Sequence, residues 1–164
     1  MAISYRVATD ADFEAMCDFD GAQFGQRWEP AERLVLRPTL DLERFVLARD
    51  GADLVGVAGN FTQELTVPGG VVVPAAGVTW VAVATTHRRS GILTELMRRL
   101  HDQAIERDEP IAMLTASEGG IYERFGYGVA SQRRVIEIDR RRTQLQERFR
   151  PEPGSVRFVD AGDD

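Results

Sequence analysis

Residues 65 to 86 carry no charge, and no other feature of the sequence limits the fold as strongly. A stretch of that length has the size of a membrane-spanning helix. Pro68-Gly69-Gly70 interrupts it, however, and β-branched residues flank the interruption on both sides, which is the pattern of two strands joined by a turn. We therefore predict two buried strands, Leu54 to Val67 and Val71 to Ala84, and no membrane span.

Strand and helix patterns alternate through the rest of the chain. Further strands are predicted at Ile3 to Val7, Phe45 to Ala48, Ile111 to Thr115 and Arg134 to Asp139, and helices after Thr9 or Asp10, from Trp28 to Arg37 and from Ser90 to Arg107. Val55 and Val57 are expected on one face of their strand, and Phe24 on the apolar side of the first helix. This order predicts an α/β (α+β) fold with a mixed, mostly antiparallel sheet flanked by helices.

The length of the chain limits it to one full domain. With 164 residues, 43% of them hydrophobic, it can bury one core and not two. We expect residues 1–139 to form the folded domain. Residues 140–164 are charged and rich in proline and glycine, which predicts a linker or the start of a following domain, with an extended piece at Val156 to Val159.

Charge and composition exclude several classes of function. The net charge is −6, which disfavours nonspecific binding of nucleic acid. All basic residues are arginine, so neither a P-loop lysine nor a Schiff-base lysine is present. Cys17 is the sole cysteine, and His87 and His101 have no partner at metal-ligand spacing, so no metal site is predicted. The sequence opens without an export signal, and a cytoplasmic location is expected.

The sequence VAVATTHRRSGIL, residues 81–93, predicts a phosphate site. A buried strand leads through a basic loop into an amphipathic helix, whose first N–H groups and positive dipole end attract anions. Gly91 allows the backbone to approach closely, and Arg88 and Arg89 supply charged donors. A solvated arginine-rich loop is the alternative. The absence of GxGxxG argues against a Rossmann dinucleotide site.

The same residues carry a family resemblance. The strand VAVA followed by RRSGIL resembles the acyl-CoA signature of the GNAT (GCN5-related) N-acetyltransferases, R/Q-x-x-G-x-G/A, with Arg88 first, Gly91 in the glycine position and Leu93 where small residues are commoner. Combined with ASEGGIYERFGYG at residues 116–128, it is similar to the Eis (enhanced intracellular survival) subgroup, in which a bulky residue at that position is normal. The likeness covers nearly the whole chain in the order of its elements.

The resemblance implies acetyl-CoA as the cofactor. In GNAT folds the strand that ends at Ala84 and the strand at Ile111 splay apart, and pantetheine enters the gap against the backbone near Val81 and Val83. Ser117 is expected as a helix cap or as a contact to the cofactor. The pyrophosphate is expected on the loop formed by Arg88, Arg89, Ser90, Gly91, Ile92 and Leu93.

The glycine-rich segment is expected to present a catalytic phenol. Gly119 and Gly120 keep the first turn of a short helix free of side chains, while Ile121 and Phe125 anchor that helix to the core. The resemblance implies that Tyr122 is the general acid for the departing thiolate, with a packing ring as the alternative. Ordinary pKa values of about 10 for a phenol and about 8.5 for a thiol favour a hydrogen bond to the thiolate over full proton transfer.

Three aromatic residues are candidates for the acceptor pocket. Trp80 lies beside the cofactor strand. Phe24 and Trp28 are expected around the loop between the first two helices, where the resemblance to GNAT folds implies an acceptor loop. Each of the three fits a core position equally well. Tyr127, between two glycines, is expected to be structural. The resemblance suggests an aminoglycoside, a polyamine or a lysine side chain as the amine acceptor.

No residue of the sequence stands out as the base that deprotonates the amine. Eis-like proteins are longer, are thought to use their terminal carboxylate, and assemble as hexamers, so a homo-oligomer is expected for a full-length chain. Glu118, Asp20 and Glu64 are substitutes by residue type alone. We expect this chain to bind acetyl-CoA and to turn over slowly. A catalytically silent GNAT module that binds acyl-CoA, and a nucleotide-binding α/β domain, stay open as alternatives.

Overall fold

The structure is a computed structural model, and it describes residues 2–144, 148, 154–155 and 157. The chain divides into two compact units, Met1–Gly128 and Val129–Asp164. The first unit contains all the strands and α-helices of the described residues. The domain boundary expected after residue 139 stays a prediction.

Five strands form one open sheet in the first unit. They are β1 (Ser4–Val7), β2 (Phe45–Asp50), β3 (Asp53–Val67), β4 (Val71–Val83) and β5 (Ile111–Met113), and their spatial order is the order of the chain. Neighbouring strands are antiparallel except β4 and β5, which are parallel. The uncharged stretch thus forms the end of β3, a turn and β4, as its glycine and proline residues predict.

Helices cover both faces of this sheet. α1 (Phe13–Phe24) and α2 (Pro30–Leu36) contribute to the core on one face, and α3 (Ile92–Glu106) packs on the other. The α1 face buries Phe13, Met16, Cys17, Leu40, Leu42, Phe45, Leu47 and Val57. The α3 face buries Val46, Ala48, Val55, Ala58, Val78, Ile92, Leu96, Met97 and Leu100. Burial on both sides explains the apolar runs of β2 and of the first half of β3. The prediction of two wholly buried strands is wrong at the β3–β4 turn, where Val71 and Val72 are 58% and 54% exposed.

The expected placement of Val55 and Val57 on one face of β3 is wrong. Val55 packs in the α3 core, whereas Val57 packs in the α1 core. A bulge separates them, because the partner of Ala48 is Gly56 while the partner of the next residue on β2 is Leu54. The extra residue on β3 shifts the alternation of its side chains by one position.

A buried ion pair joins the turn before β2 to the loop before β5. Arg44 Nη2 lies 2.7 Å from Glu109 Oε2, and the two side chains are 3% and 4% exposed. Arg44 Nε also donates to the carbonyl of Asn60 at 3.0 Å, and the amide of Asn60 donates to the carbonyl of Leu100 at 3.2 Å. These bonds connect the 3-10 turn before β2, the strand β3, the helix α3 and the loop before β5.

The second unit corrects one strand prediction. Residues 134 to 139 form no strand, and Val135, Ile136 and Ile138 are 71%, 77% and 64% exposed. Alternating apolar residues indicate a strand only where a neighbouring ladder satisfies the backbone and covers one face. The extended piece predicted at Val156 to Val159 lies outside the described residues except for residue 157. Among the described residues, none of the helices has the length and apolar character that crossing a membrane requires.

Replacing Glu109 with alanine should destabilise the chain by about 3 kcal/mol, because Arg44 would keep its charge in the core without a partner. The measurement is the free energy of unfolding from urea titrations. Glu106→Ala, at an exposed position of α3, is the matched control and should change that free energy by less than about 0.5 kcal/mol. Equal effects of the two substitutions would show that the buried pair does not stabilise the fold.

Candidate active site

The far edge of β4 is open over its second half. β4 pairs with β5 only from Ala75 to Gly77, although it continues to Val83. The N–H of Ala84 donates to the carbonyl of Val55 at 2.9 Å, on the β3 side. Successive residues of a strand turn their backbone groups to opposite sides, so Val83 and Val81 present theirs to the open edge. This is the geometry expected for the splayed strands.

A bulge at Trp80 determines which backbone groups of β4 point to the open edge. Between Thr79 and Ala82, β4 advances three residues, while its partner β3 advances two, from Gly59 to Val57. Trp80 itself has a φ of 53°, in the left-handed region that bulky residues rarely occupy. Because of the extra residue, Val78 and Val81 both face the α3 core although three positions separate them.

The first turn of α3 presents unpaired amides. Its first helical bond runs from the N–H of Glu95 to the carbonyl of Gly91, at 3.1 Å, and no side chain caps the helix. The N–H groups of Ile92, Leu93 and Thr94 therefore have no partner within the helix. Gly91 has a φ of 81°, and a Cβ added to it would meet no atom within 4 Å. Glycine is thus required here by the backbone, and the space above it is empty.

The loop before α3 is positively charged. Arg88 and Arg89 are exposed, and neither forms an ion pair within the part of the chain that the structure describes. Ser90 Oγ lies 3.5 Å from the carbonyl of Arg88, a weak contact. Glu95 is the acidic residue of the first turn, and hydrogen bonds from Arg98, reinforced by Arg99, lower its pKa to about 2. Glu95 is therefore ionised at neutral pH, and ion pairs with Arg98 and Arg99 balance its charge, so the helix end stays attractive to an anion.

The glycine-rich segment forms two consecutive 3-10 turns, Gly119–Ile121 and Glu123–Phe125, rather than an α-helix. Ser117 does not cap them, because Glu118 occupies the cap position and makes no side-chain bond there. Ile121 is not an anchor either, since it is 36% exposed. The side chains that hold the segment against the α3 core are those of Tyr122, Phe125 and Tyr127.

Tyr122 is half-buried, and its hydroxyl is free to act. The ring packs against the same core as Val81, Val83 and Leu93, so the phenol, the open edge and the first turn of α3 lie on the same face of the sheet. The hydroxyl makes no hydrogen bond within the described residues and is not enclosed. Burial raises the pKa of Tyr122, which keeps the phenol protonated and able to donate at neutral pH.

Tyr127 has a structural partner that the sequence did not indicate. Its hydroxyl lies 3.0 Å from Nε2 of His101 on α3, and its ring stands edge-on to Tyr122 with centroids 6.0 Å apart. Burial raises the pKa of Tyr127 to about 12. Tyr127 therefore docks the segment on α3 and fixes the ring of Tyr122. The expectation that Tyr127 is structural agrees with this contact, and His101 supplies the partner.

The three candidate acceptor residues are not all brought together. The rings of Trp28 and Trp80 stack in parallel, with centroids 5.9 Å apart and planes 6° apart, on the α1 face of the sheet. Phe24 is 54% exposed at the end of α1 and is not part of that core, contrary to its helical spacing. A groove of about 480 Å³ between α1 and α2 is lined by Trp28 but by neither of the other two residues.

The open edge of β4, the uncapped start of α3 and the half-buried phenol of Tyr122 all adjoin the α3 core. A family model described as an acetyltransferase (GNAT) domain matches residues 4–130. The chain therefore belongs to the GNAT acetyltransferase family. Within that family it is similar to the Eis proteins: the N-acetyltransferase Eis of Mycobacterium tuberculosis is 39% identical over 145 residues, which are 86% of this chain and 36% of that protein.

Two further comparisons agree with this placement. An uncharacterized N-acetyltransferase of Streptomyces avermitilis is 43% identical over 146 residues, 88% of this chain and 36% of that protein. The crystal structure of Eis1 from Mycobacterium abscessus has a TM-score of 0.70 and 37% identity over 79% of this chain and 32% of that chain. The predicted fold and the Eis-like subgroup are confirmed. The chain spans about a third of the length of these relatives.

The pairing of His101 with Tyr127 predicts a pH dependence of stability. Burial lowers the pKa of His101, so the unfolded chain binds a proton more readily than the folded chain. The stabilisation is present above the unfolded pKa of about 6.5 and is lost as the pH falls through the lower folded value. His101→Gln, which does not titrate, should give a shallower decline in the free energy of unfolding between about pH 7 and pH 5. Identical declines in urea titrations of the two proteins would contradict the contact.

Proposed function

We propose that this chain is an acetyl-CoA-dependent N-acetyltransferase domain that transfers an acetyl group to a primary amine by direct attack in a ternary complex. The observation that carries the proposal is the convergence of three unsatisfied features within the first unit. These are the backbone edge at Val81 and Val83, the amides of the first turn of α3, and the hydroxyl of Tyr122. Family membership indicates the class of reaction, and these three features are the proposed binding and catalytic groups for it.

The residues present fit acetyl-CoA. Its pyrophosphate matches the amides of Ile92 and Leu93, the flexible charges of Arg88 and Arg89 and the empty space above Gly91. Its pantetheine arm carries amide groups, which match the backbone groups of Val81 and Val83 at the open edge. Ser90 and Ser117 are exposed near these features and are proposed as further contacts.

Tyr122 is proposed to assist departure of the thiolate. Bound acetyl-CoA would supply an activated acyl group on sulfur. The phenol of Tyr122 stays protonated because of burial, and it donates a hydrogen bond to the position where negative charge develops. Its raised pKa makes full proton transfer to sulfur less favourable than for an exposed phenol, so the hydrogen bond is its principal contribution.

The acceptor is proposed to approach from the α1 face. Trp80 stands at the bulge next to Val81, and its stacking with Trp28 forms an aromatic wall on the face opposite Tyr122. Asp20 does not serve as a free base, because it is buried and its Oδ2 accepts two hydrogen bonds. We propose an aminoglycoside, a polyamine or a lysine side chain as acceptor, and a cytoplasmic homo-oligomer as the form of a longer chain that completes the site.

Calorimetric titration tests the cofactor. The chain should bind coenzyme A and show no measurable binding of ATP or NAD, because only the pantetheine arm uses the β4 edge. Gly91→Val should weaken coenzyme A binding about tenfold or more, since a β-branched residue is strained at a φ of 81° and its side chain fills the space above the loop. Tighter binding of ATP or NAD than of coenzyme A would instead support a nucleotide-binding domain.

Tyr122→Phe tests the role of the phenol. We expect the rate of acetyl transfer to fall about a hundredfold, the usual cost of losing a donor to a developing anion. The affinity for acetyl-CoA should stay unchanged, because the ring keeps its packing. Tyr5→Phe, the same substitution on β1, is the matched control and should retain the full rate. If acetyl-CoA binds and neither wild type nor Tyr5→Phe transfers acetyl to any amine offered, the chain is a catalytically silent acyl-CoA module.

A further inference from the structure

A buried carboxylate lies behind the two tryptophans. Asp20, on α1, is 4% exposed. Its Oδ2 accepts hydrogen bonds from Nε1 of Trp28 at 3.0 Å and from Nε2 of Gln26 at 3.3 Å. A carboxylate is costly to bury, and an alanine or leucine would occupy a core position of this helix without that cost. Core packing alone does not explain an aspartate at position 20, so its hydrogen bond with Trp28 calls for a separate explanation.

The bond from Asp20 determines how the Trp28 ring stands. An indole has one N–H donor in the plane of its ring, so an accepting carboxylate fixes both the rotamer and the ring plane. In that orientation Trp28 lies parallel to Trp80, with 6° between the planes. The ring of Phe45 also contacts Trp80, in an edge-on arrangement with the two ring centroids 5.9 Å apart. Trp80 is thus held between one ring on β2 and one ring that Asp20 orients.

Trp80 needs such support because of its backbone. A φ of 53° is unfavourable for a large side chain and persists only where the surroundings enforce it. The bulge that this conformation creates decides which backbone groups of β4 reach the open edge. A relaxed Trp80 would return β4 toward regular alternation and turn Val81 and Val83 away from that edge.

We infer that Asp20 is a positioning residue: by orienting Trp28 against Trp80, it holds the β4 bulge and thereby aims the backbone of Val81 and Val83 at the open edge. The consequence for acetyl-CoA rests on the proposed function, whereas the stacking of the two indoles does not. Asp20 touches neither the cofactor edge nor Tyr122, and it acts through the rings alone.

Circular dichroism and calorimetry together test this role. The chain contains two tryptophans, so an exciton couplet of stacked indoles reports on Trp28 and Trp80 alone. Asp20→Ala should abolish the couplet and weaken acetyl-CoA binding about fivefold. Asp20→Asn keeps an oxygen that accepts the indole N–H, and it should retain the couplet and bind acetyl-CoA within about twofold of wild type. An unchanged couplet in Asp20→Ala would overturn the inference.

Two controls separate positioning from a general loss of stability. Val46→Ala creates a cavity in the α3 core, away from both rings, and should lower the free energy of unfolding while keeping the couplet and the affinity. Equal weakening of acetyl-CoA binding by Val46→Ala and Asp20→Ala would overturn the role of Asp20. Trp28→Phe keeps a ring but lacks the N–H. Asp20→Ala should weaken binding no further in that background, and additive losses would contradict a pathway through Trp28.

The same measurements distinguish this inference from the proposed function. If wild type does not bind acetyl-CoA at all, the proposed cofactor site is wrong. The couplets of wild type, Asp20→Ala and Asp20→Asn then still decide whether Asp20 orients the stacked rings. If wild type binds acetyl-CoA and Asp20→Ala binds it equally well, the proposed site stands and Asp20 has no positioning role in it.

Discussion

The end of strand pairing between β4 and β5 is the constraint on which the rest of the structure depends. β4 continues for six residues beyond Gly77, its last paired residue, and leaves backbone donors and acceptors on an open edge. Unpaired backbone groups at a sheet edge invite another extended chain to complete the ladder. The uncapped start of α3 adds unpaired amides where the chain leaves this edge. In the proposed function, both sets of unpaired groups bind one ligand, through the pantetheine arm and the diphosphate of acetyl-CoA.

The sheet separates the two sides of the proposed reaction. Tyr122 belongs to the core on the α3 face, while Trp28 and Trp80 belong to the core on the α1 face. Along the second half of β4 the sheet ends at the open edge, and the two faces meet there. In the proposed reaction, Tyr122 contacts the ligand at that edge from the α3 face, and the acceptor amine approaches from the α1 face. The bulge at Trp80 affects both faces. It determines which backbone groups of β4 point to the open edge, and it contains one of the two stacked rings, Trp28 and Trp80, that are proposed to contact the acceptor.

Local patterns predicted a large part of this molecule. The uncharged stretch and its turn gave β3 and β4, the amphipathic period gave α3, and the motif around Gly91 indicated the helix end that the structure leaves uncapped. The failures have two causes. The opposed faces of Val55 and Val57 and the missing strand at residues 134 to 139 depend on partners elsewhere in the chain, which periodicity does not encode. Ser117 fails as a cap for a local reason, because the turn begins one residue later and Glu118 takes the cap position.

By itself the sequence determined the order of the elements, the glycine that the α3 loop requires, and the family of acetyltransferases to which the chain belongs, because each follows from residues close together in the chain. Only the tertiary structure decided that Trp80 stands in a bulge, that Asp20 holds its neighbour Trp28, and that His101 docks Tyr127. A bulge arises when two residues of one strand lie opposite one residue of the partner strand, and a side-chain hydrogen bond between two elements needs both elements in place. The local sequence pattern of one partner alone predicts neither feature.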